Sequence, residues 1–388
     1  MLLSITIVFM LALFLSYLFE KIHIPGLIGM IVTGIIVGPF VLNIIPLEIL
    51  SVSKDLRTLA LIIILIRAGL AINKSTLMEV GKNAVLLGIL PCLLESFAII
   101  FLSFLFLKMP LKEAVVFAFI IAAVSPAVVV PQMINLLEKK SYRKMPTLIL
   151  SGASLDDIFA ITMFSIFLKI AIGQATNFYL IPVNIFFGIF LGIIIGFIFV
   201  FLFEKMSDIR DTKKMLIMLL TAILFNSLEK VYPIATLLGI MVIGFVLLEK
   251  QEKIAYRISL KFNKLWIVAE VFLFTLIGAK LNIWAIKETV LLTILIIFFG
   301  LIFRSFGVLL SLPKQVFSNQ ERLFCVYSYL PKATVQAAIG SIPLSYGFEY
   351  GGFILQAAVL SILITAPLGA ILIRKASLKY LDSSRRIS

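Results

Sequence analysis

Apolar residues fill most of the chain in long runs, and the polar stretches between these runs are no longer than loops. A run of about 20 apolar residues is long enough to cross a bilayer as an α-helix. The pattern therefore predicts an all-α polytopic membrane protein with about thirteen transmembrane helices. The predicted spans are approximately 2–19, 25–42, 55–72, 83–107, 113–137, 146–171, 180–203, 214–230, 233–248, 263–281, 287–310, 320–344 and 353–375.

The composition agrees with this pattern, since 62% of the residues are hydrophobic and 14% are charged. We expect a single transmembrane unit over residues 1–388, embedded in lipid, without a separate soluble domain. The net charge of +14 is explained by basic residues in alternate loops, so it indicates orientation and not a nucleic-acid partner. Lys and Arg are in excess in the loops and tail on the C-terminal side, where the tail carries Arg374, Lys375, Lys379, Arg385 and Arg386. With an odd number of spans, this asymmetry predicts a cytoplasmic C-terminus and an outside N-terminus. We expect the plasma (inner) membrane as the location.

Two adjacent carboxylates, Asp156 and Asp157, lie midway along the predicted span 146–171. A charged side chain at the centre of a membrane helix costs roughly 3 kcal/mol on insertion scales, so such residues usually face a polar interior and mark an ion or proton path. A helix cap at the membrane surface is the structural alternative, but the pair lies far from both ends of the span. These carboxylates are the main candidates for binding a transported ion.

Glycine-rich segments recur at an offset of a little over 200 residues and predict an internal repeat. The aligned positions are Gly29 with Gly239, Gly34 with Gly244, Gly69 with Gly278 and Asn73 with Asn282. Residues 1–171 form the first copy (predicted helices 1–6), 172–212 contain connector helix 7, and 213–388 form the second copy (helices 8–13). Because the repeat advances by seven helices, an odd number, the second copy is inverted in the bilayer, as in many secondary transporters.

Prolines interrupt the fifth helix of each copy near mid-membrane. Pro126 and Pro131 lie in span 113–137, and Pro331 lies in span 320–344. Proline removes a backbone donor and clashes with the preceding turn, so we expect two unwound stretches that cross at a polar cavity. Paired interruptions of this kind point to the substrate site, although two ordinary proline kinks are the alternative. Lys332 and Ser125, beside the two interruptions, favour the substrate site.

A second charged pair also follows the repeat. Glu95 and Arg304 lie in the fourth helix of each copy, and two opposite charges at depth are far less costly when they meet. We therefore expect a structural ion pair that joins the copies. The neutral oxygen ligands for a bound cation would be the hydroxyls of Ser125 and Thr334, together with backbone carbonyls freed by the interruption.

The chain resembles the monovalent cation:proton antiporter superfamily, and most closely its NHA branch of the double-aspartate type, over nearly its whole length. The segments that carry the resemblance are Ile66–Leu70, Val124–Pro131, Ser151–Asp157 and Leu330–Ala338. The resemblance implies a transporter and not an enzyme, without a cofactor, that exchanges sodium or lithium for protons.

The resemblance also implies a homodimer whose core moves like an elevator against a dimerisation scaffold. Carried onto this chain, the core is formed by the helices of 83–171 and 287–375. The scaffold is formed by the helices of 2–72 and 214–281.

The resemblance assigns roles to single residues as well. Asp157 is the carboxylate that binds the monovalent cation, Asp156 accompanies it, and Asp156 can pair with Lys332. One departure concerns pH sensing: some relatives place histidines in a cytoplasmic funnel, whereas the one histidine here is His23, in the first short loop.

Competition between protons and a cation for the aspartate pair, combined with alternating access, is sufficient for antiport. If cation binding frees Lys332 from Asp156, the lysine releases a second proton and exchange is electrogenic. The presence of both aspartates together with the lysine favours this electrogenic mechanism. If Lys332 stays charged, exchange is one for one. A sodium-coupled symporter of an organic anion and a cation channel remain alternative functions, and sodium-evoked proton movement would separate antiport from both.

Overall fold

The computed structural model describes residues 2–71, 74–138, 144–173, 180–206, 208–228, 234–284 and 289–384. Within these ranges the regular secondary structure is helical and contains no β-strand. This confirms the predicted all-α class. Asn73 of the predicted repeat, and Arg385 and Arg386 of the basic tail, lie outside the described residues.

The described chain contains seventeen helices, some of which are two parts of one predicted span. They are α1 (Leu2–Lys21), α2 (Gly26–Val37), α3 (Leu47–Ser51), α4 (Ser53–Ala71), α5 (Lys74–Leu107), α6 (Leu111–Ile121), α7 (Pro126–Glu138), α8 (Lys144–Ala171), α9 (Leu180–Lys205), α10 (Asp211–Ser227), α11 (Thr236–Lys250), α12 (Glu252–Ala279), α13 (Val290–Ser311), α14 (Asn319–Ser328), α15 (Thr334–Ile339), α16 (Ile342–Ser345) and α17 (Gly351–Ser384).

Seven helical segments of the described chain are long and apolar enough to cross a membrane by length and composition. One of these segments, Leu111–Leu137, includes the interruption between α6 and α7. The count of thirteen transmembrane helices stays a prediction.

The chain divides into two compact units. Unit 1 comprises Met1–Ser51, Val80–Phe164 and Phe274–Ser388, and unit 2 comprises Val52–Glu79 and Ser165–Leu273. All of the predicted site residues belong to unit 1. Unit 1 also contains α1 and α2, which the sequence assigned to the scaffold, so the division into core and scaffold helices stays a prediction.

In unit 1, glycines bring α2 against the C-terminal end of α12. A Cβ atom on Gly34 would collide with the carbonyl oxygen of Thr275, and one on Gly278 would collide with the carbonyl oxygen of Ile31. The two backbones therefore touch at a distance that only glycine permits.

In unit 2, a similar contact joins α4 and α11. A Cβ atom on Gly69 would collide with the carbonyl oxygen of Met241, and one on Gly244 would lie 3.0 Å from the backbone of Gly69. The four glycines of these two contacts are those that the predicted repeat aligns, Gly34 with Gly244 and Gly69 with Gly278. Each contact joins a helix of the predicted first copy to a helix of the predicted second copy through glycines that the predicted repeat aligns.

The two predicted interruptions are present in the described chain and lie next to each other. Helix α6 ends at Ile121 and α7 begins at Pro126, whereas α14 ends at Ser328 and α15 begins at Thr334. The backbone amide of Ser125, in the first interruption, donates a hydrogen bond of 2.8 Å to the carbonyl oxygen of Pro331, in the second. The two unwound stretches are therefore in direct contact.

Pro131 differs from the expectation, because it lies inside α7 and not in the interruption. Pro126 is the first residue of α7, where the missing amide hydrogen is not needed by the helix and the fixed φ angle suits helix initiation. The helix therefore begins at the first proline and tolerates the second.

Candidate cation site at the contact between the interrupted helices

The two aspartates lie near the middle of α8 and have different surroundings. Successive residues of a helix point about 100° apart, so the two carboxylates cannot share one set of contacts. Asp156 is fully buried, whereas Asp157 keeps 8% of its surface exposed. The helix thus presents one carboxylate to the protein interior and leaves the other at the edge of a buried region.

Asp156 is held by three hydrogen bonds. Nη2 of Arg304 donates to its Oδ1 at 2.9 Å and to its Oδ2 at 3.0 Å. The amide of Val124, in the first interruption, donates to Oδ2 at 2.8 Å. The negative charge of a carboxylate is well compensated when it accepts hydrogen bonds from a guanidinium and from a backbone amide that a helix interruption has freed.

Asp157 has no such compensation. Its Oδ1 atom is buried and accepts no hydrogen bond in the part of the chain that the structure describes. A buried carboxylate oxygen without a partner costs free energy unless a proton or a cation neutralises it. Asp157 is therefore the carboxylate that is available to a ligand.

Arg304 lies at the centre of the site and is fully buried. Besides Asp156, it contacts Glu95, with Nη1 2.7 Å from Oε2. Its Nε donates to the carbonyl oxygen of Tyr329 at 2.6 Å, and Nη1 donates to the carbonyl oxygen of Ala122. Ala122 and Tyr329 directly follow α6 and α14, so one guanidinium compensates the C-terminal ends of both half-helices.

Lys332 contacts Glu95 and not Asp156. Its Nζ lies 2.6 Å from Oε2 of Glu95, and both side chains are fully buried. The expected pair between Lys332 and Asp156 is not among the ion pairs of the described residues, because Arg304 binds both oxygens of Asp156 and Glu95 is within reach of the lysine. The expected ion pair between Glu95 and Arg304 is present, and Lys332 joins it, so Glu95 accepts from both cations.

The charges of this cluster do not cancel. The ionised carboxylates of Glu95, Asp156 and Asp157 carry three negative charges, and Arg304 and Lys332 carry two positive charges. The excess of one negative charge is left on Asp157, since the other four side chains bond among themselves. In a poorly solvated region such an excess attracts one monovalent cation or one proton.

The two hydroxyls that the sequence proposed as neutral ligands are also without partners. Ser125 Oγ and Thr334 Oγ1 are buried and make no hydrogen bond with any described residue. Ser125 lies in the first interruption, and Thr334 begins α15 just after the second. Together with Asp157 Oδ1 they supply oxygen atoms of the kind that bind a hard monovalent cation.

Sequence reasoning missed two side chains of this region. Gln336 donates through Nε2 to the carbonyl oxygens of Ile120, Ile121 and Ala123. The ring of Tyr329 lies 5.4 Å from the guanidinium carbon of Arg304. The signal for Gln336 was its position as an amide in the apolar interior of a predicted span, whereas nothing in the sequence pattern distinguishes Tyr329 from the other tyrosines.

Interrupted helices that meet at a buried carboxylate and at unpartnered oxygens are typical of secondary transporters for ions. The comparisons with known proteins agree with this class. Residues 8–376 match the family model described as sodium/hydrogen exchanger, transmembrane, and the chain belongs to this family. It is therefore an integral membrane protein of the cation/proton antiporter class, a transporter and not an enzyme, and the family transports cations without a cofactor.

Mammalian relatives are similar over most of the chain. The mouse sodium/hydrogen exchanger 9B2 is 32% identical over 93% of this chain and 69% of its own length. The human sodium/hydrogen exchanger 9B1 is 29% identical over 90% of this chain and 71% of its own length. Among solved structures, the sodium proton antiporter MjNhaP1 from Methanocaldococcus jannaschii at pH 8 is similar in fold, with a TM-score of 0.83, 20% identity and coverage of 98% of this chain and 99% of that chain.

Proposed function

We propose that this protein exchanges sodium or lithium for protons by letting both ions compete for Asp157, with Asp156 beside it. The observation that carries the proposal is the single uncompensated carboxylate in a cluster whose other charges bond to one another. A proton or a monovalent cation neutralises the excess charge, and the two together would leave an excess positive charge. Binding of the ions is therefore mutually exclusive, which is the condition for antiport.

The neutral part of the cation shell would come from Ser125 and Thr334, whose hydroxyls have no other partner. Both residues lie at helix interruptions, where backbone carbonyls and water can complete the coordination. Asp156 would act on the cation indirectly, because its oxygens are held by Arg304 and by the amide of Val124. It fixes the first interruption and adds negative charge next to Asp157.

The pairing of Lys332 favours exchange of one proton for one cation. The sequence favoured an electrogenic mechanism, which requires cation binding to break a contact between Lys332 and Asp156. In the structure the lysine bonds to Glu95, a carboxylate that does not take part in the proposed competition. We propose that this contact keeps Lys332 protonated throughout the cycle and that exchange is electroneutral.

Alternating access would arise from two inverted six-helix copies, with core helices 83–171 and 287–375 moving against scaffold helices 2–72 and 214–281 in a homodimer. The glycines at the α2–α12 and α4–α11 contacts, which the repeat aligns, support the two copies. For orientation we propose a plasma (inner) membrane location with the N-terminus outside and the C-terminus in the cytoplasm, on the basis of the basic tail.

Purified protein in proteoliposomes tests this function. Addition of sodium or lithium outside acidified vesicles that contain a pH-sensitive dye should dequench the dye, and the rate should be the same with and without an ionophore that collapses the voltage. Flux that requires an organic anion would indicate the symporter. Sodium current without proton movement would indicate a channel, and either result would overturn the proposal.

A further inference from the structure

The side-chain amide of Gln336 has a fixed orientation. Its Nε2 lies 3.1 Å from the carbonyl oxygens of Ile120 and Ile121, and 2.9 Å from that of Ala123. The reversed amide would set Oε1 against three carbonyl oxygens, which carry no hydrogen to share. The nitrogen therefore caps the C-terminal end of α6, and the oxygen lies on the other side of the amide.

This amide oxygen has no donor. Gln336 is fully buried, and its Oε1 accepts no hydrogen bond from the residues that the structure covers. A buried amide oxygen is costly to leave unpaired, so a donor, a water molecule or a cation is expected to satisfy it.

Gln336 lies beside the first interruption, which also contacts the aspartate pair through Asp156. Ala123, which accepts from Nε2, directly precedes Val124, whose amide bonds to Asp156 at 2.8 Å. Gln336 also lies on α15, the short helix that begins with Thr334. The unpartnered atoms of Asp157, Thr334 and Gln336 are all oxygens on elements that meet at the two interruptions.

We propose that Oε1 of Gln336 is a ligand of the transported cation and sets the affinity of the site for sodium. The proposal rests on the antiport function proposed above. A neutral amide oxygen adds coordination without adding charge, so it strengthens cation binding without strengthening proton binding at Asp157. Its nitrogen, anchored to α6, holds the oxygen in place for the incoming ion.

Two substitutions distinguish the proposed role of Gln336 as a cation ligand from its role as a helix cap. Both Gln336→Met and Gln336→Glu remove the amide donor, so both are expected to lower the melting temperature to a similar degree. Only the glutamate keeps an oxygen. The methionine variant is expected to raise the apparent KM for sodium about tenfold, which corresponds to ~1.4 kcal/mol, while the glutamate variant keeps the wild-type KM or lowers it.

Gln251 provides a matched control in unit 2. Its Nε2 also caps a helix carbonyl, that of Val200, at 2.9 Å, and its Oε1 is also buried and unpartnered in the described chain. Gln251→Met is expected to lower the melting temperature without a change in the apparent KM for sodium.

Sodium-driven proton flux in proteoliposomes is the assay. Equal KM changes in Gln336→Met and Gln336→Glu, or no change in either, would overturn the ligand assignment while the antiport function stands. If the methionine variant does not assemble, the KM of the glutamate variant decides: a tenfold rise overturns the assignment. If neither variant assembles, Gln336 acts only as a helix cap and the inference is wrong. Absence of flux in the wild-type protein would instead reject the proposed function itself.

Discussion

The central position of Arg304 leads to a prediction about stability. Replacing it with methionine keeps much of the side-chain volume but removes the donors to Glu95, Asp156 and two backbone carbonyls. Glu95 keeps its contact with Lys332. Asp156, in contrast, keeps only the amide of Val124 and becomes a buried carboxylate without a counter-ion.

The size of the destabilisation in Arg304→Met follows from these contacts. Removing one partner of a buried ion pair costs about 3–5 kcal/mol, and each stranded backbone carbonyl adds about 1–3 kcal/mol. Glu95→Gln leaves the buried Lys332 without its counter-ion, but Arg304 keeps Asp156 and both carbonyls. Fewer groups are stranded than in Arg304→Met, so the loss should be smaller. The double variant should recover little of the loss, because it strands Lys332 and leaves Asp156 with only the amide of Val124.

The loss of stability is measured by thermal unfolding of detergent-purified protein, with size-exclusion chromatography as the readout of folded protein. Arg304→Met should lower the apparent melting temperature by roughly 10 °C or more, and by more than Glu95→Gln does. Arg374→Met, at an exposed position of α17, is the control and should melt like the wild type. If Arg304→Met melts as high as the wild type or as Glu95→Gln, Arg304 does not hold the interrupted helices together.

Three further predictions concern packing, charge and orientation. Gly34→Ala should destabilise the protein by about 1–3 kcal/mol, because the added Cβ would collide with Thr275. Gly352→Ala is the control, since the added Cβ meets open space, and it should melt like the wild type. Equal melting temperatures of the two variants would contradict the α2–α12 contact. Wild-type exchange should not respond when valinomycin and potassium set different membrane potentials, and a clear response would reject the electroneutral assignment of Lys332. A cysteine at the partly exposed Ser377 should react with an impermeant maleimide only in inside-out vesicles, since both native cysteines are buried. Labelling in right-side-out vesicles would place the C-terminus outside.

The sequence predicted those features of the site that follow from the cost of polar groups in a membrane. A charge in an apolar span is costly and is therefore kept mainly where it has a function or a partner. This cost singles out Asp156, Asp157, Glu95, Arg304 and Lys332. Pro126 and Pro331 predicted where the helices are interrupted, because proline cannot continue the backbone hydrogen bonds, whereas Pro131 lies inside α7. These are local rules, and the residue itself carries the signal.

The partners of these charges could not be predicted. Which carboxylate Lys332 contacts depends on where Arg304 lies, and Arg304 in turn is drawn to the carbonyl ends of α6 and α14. Such a choice among several acceptors is decided by three-dimensional packing. The role of Gln336 was hidden for the same reason, since the three carbonyls that orient its amide lie at the end of α6 and in the interruption after it, more than 200 residues away in the chain.

Sodium-evoked proton release from the purified protein tests the central claim, that protons and cations compete for Asp157. In a weakly buffered detergent solution with a pH dye, sodium should displace about one proton from each wild-type protomer, because the cation binds the deprotonated carboxylate. Asp157→Asn keeps the volume but not the charge, and it should release none while it remains folded. Undiminished release by this variant would contradict the account, since the competition would then take place at another residue.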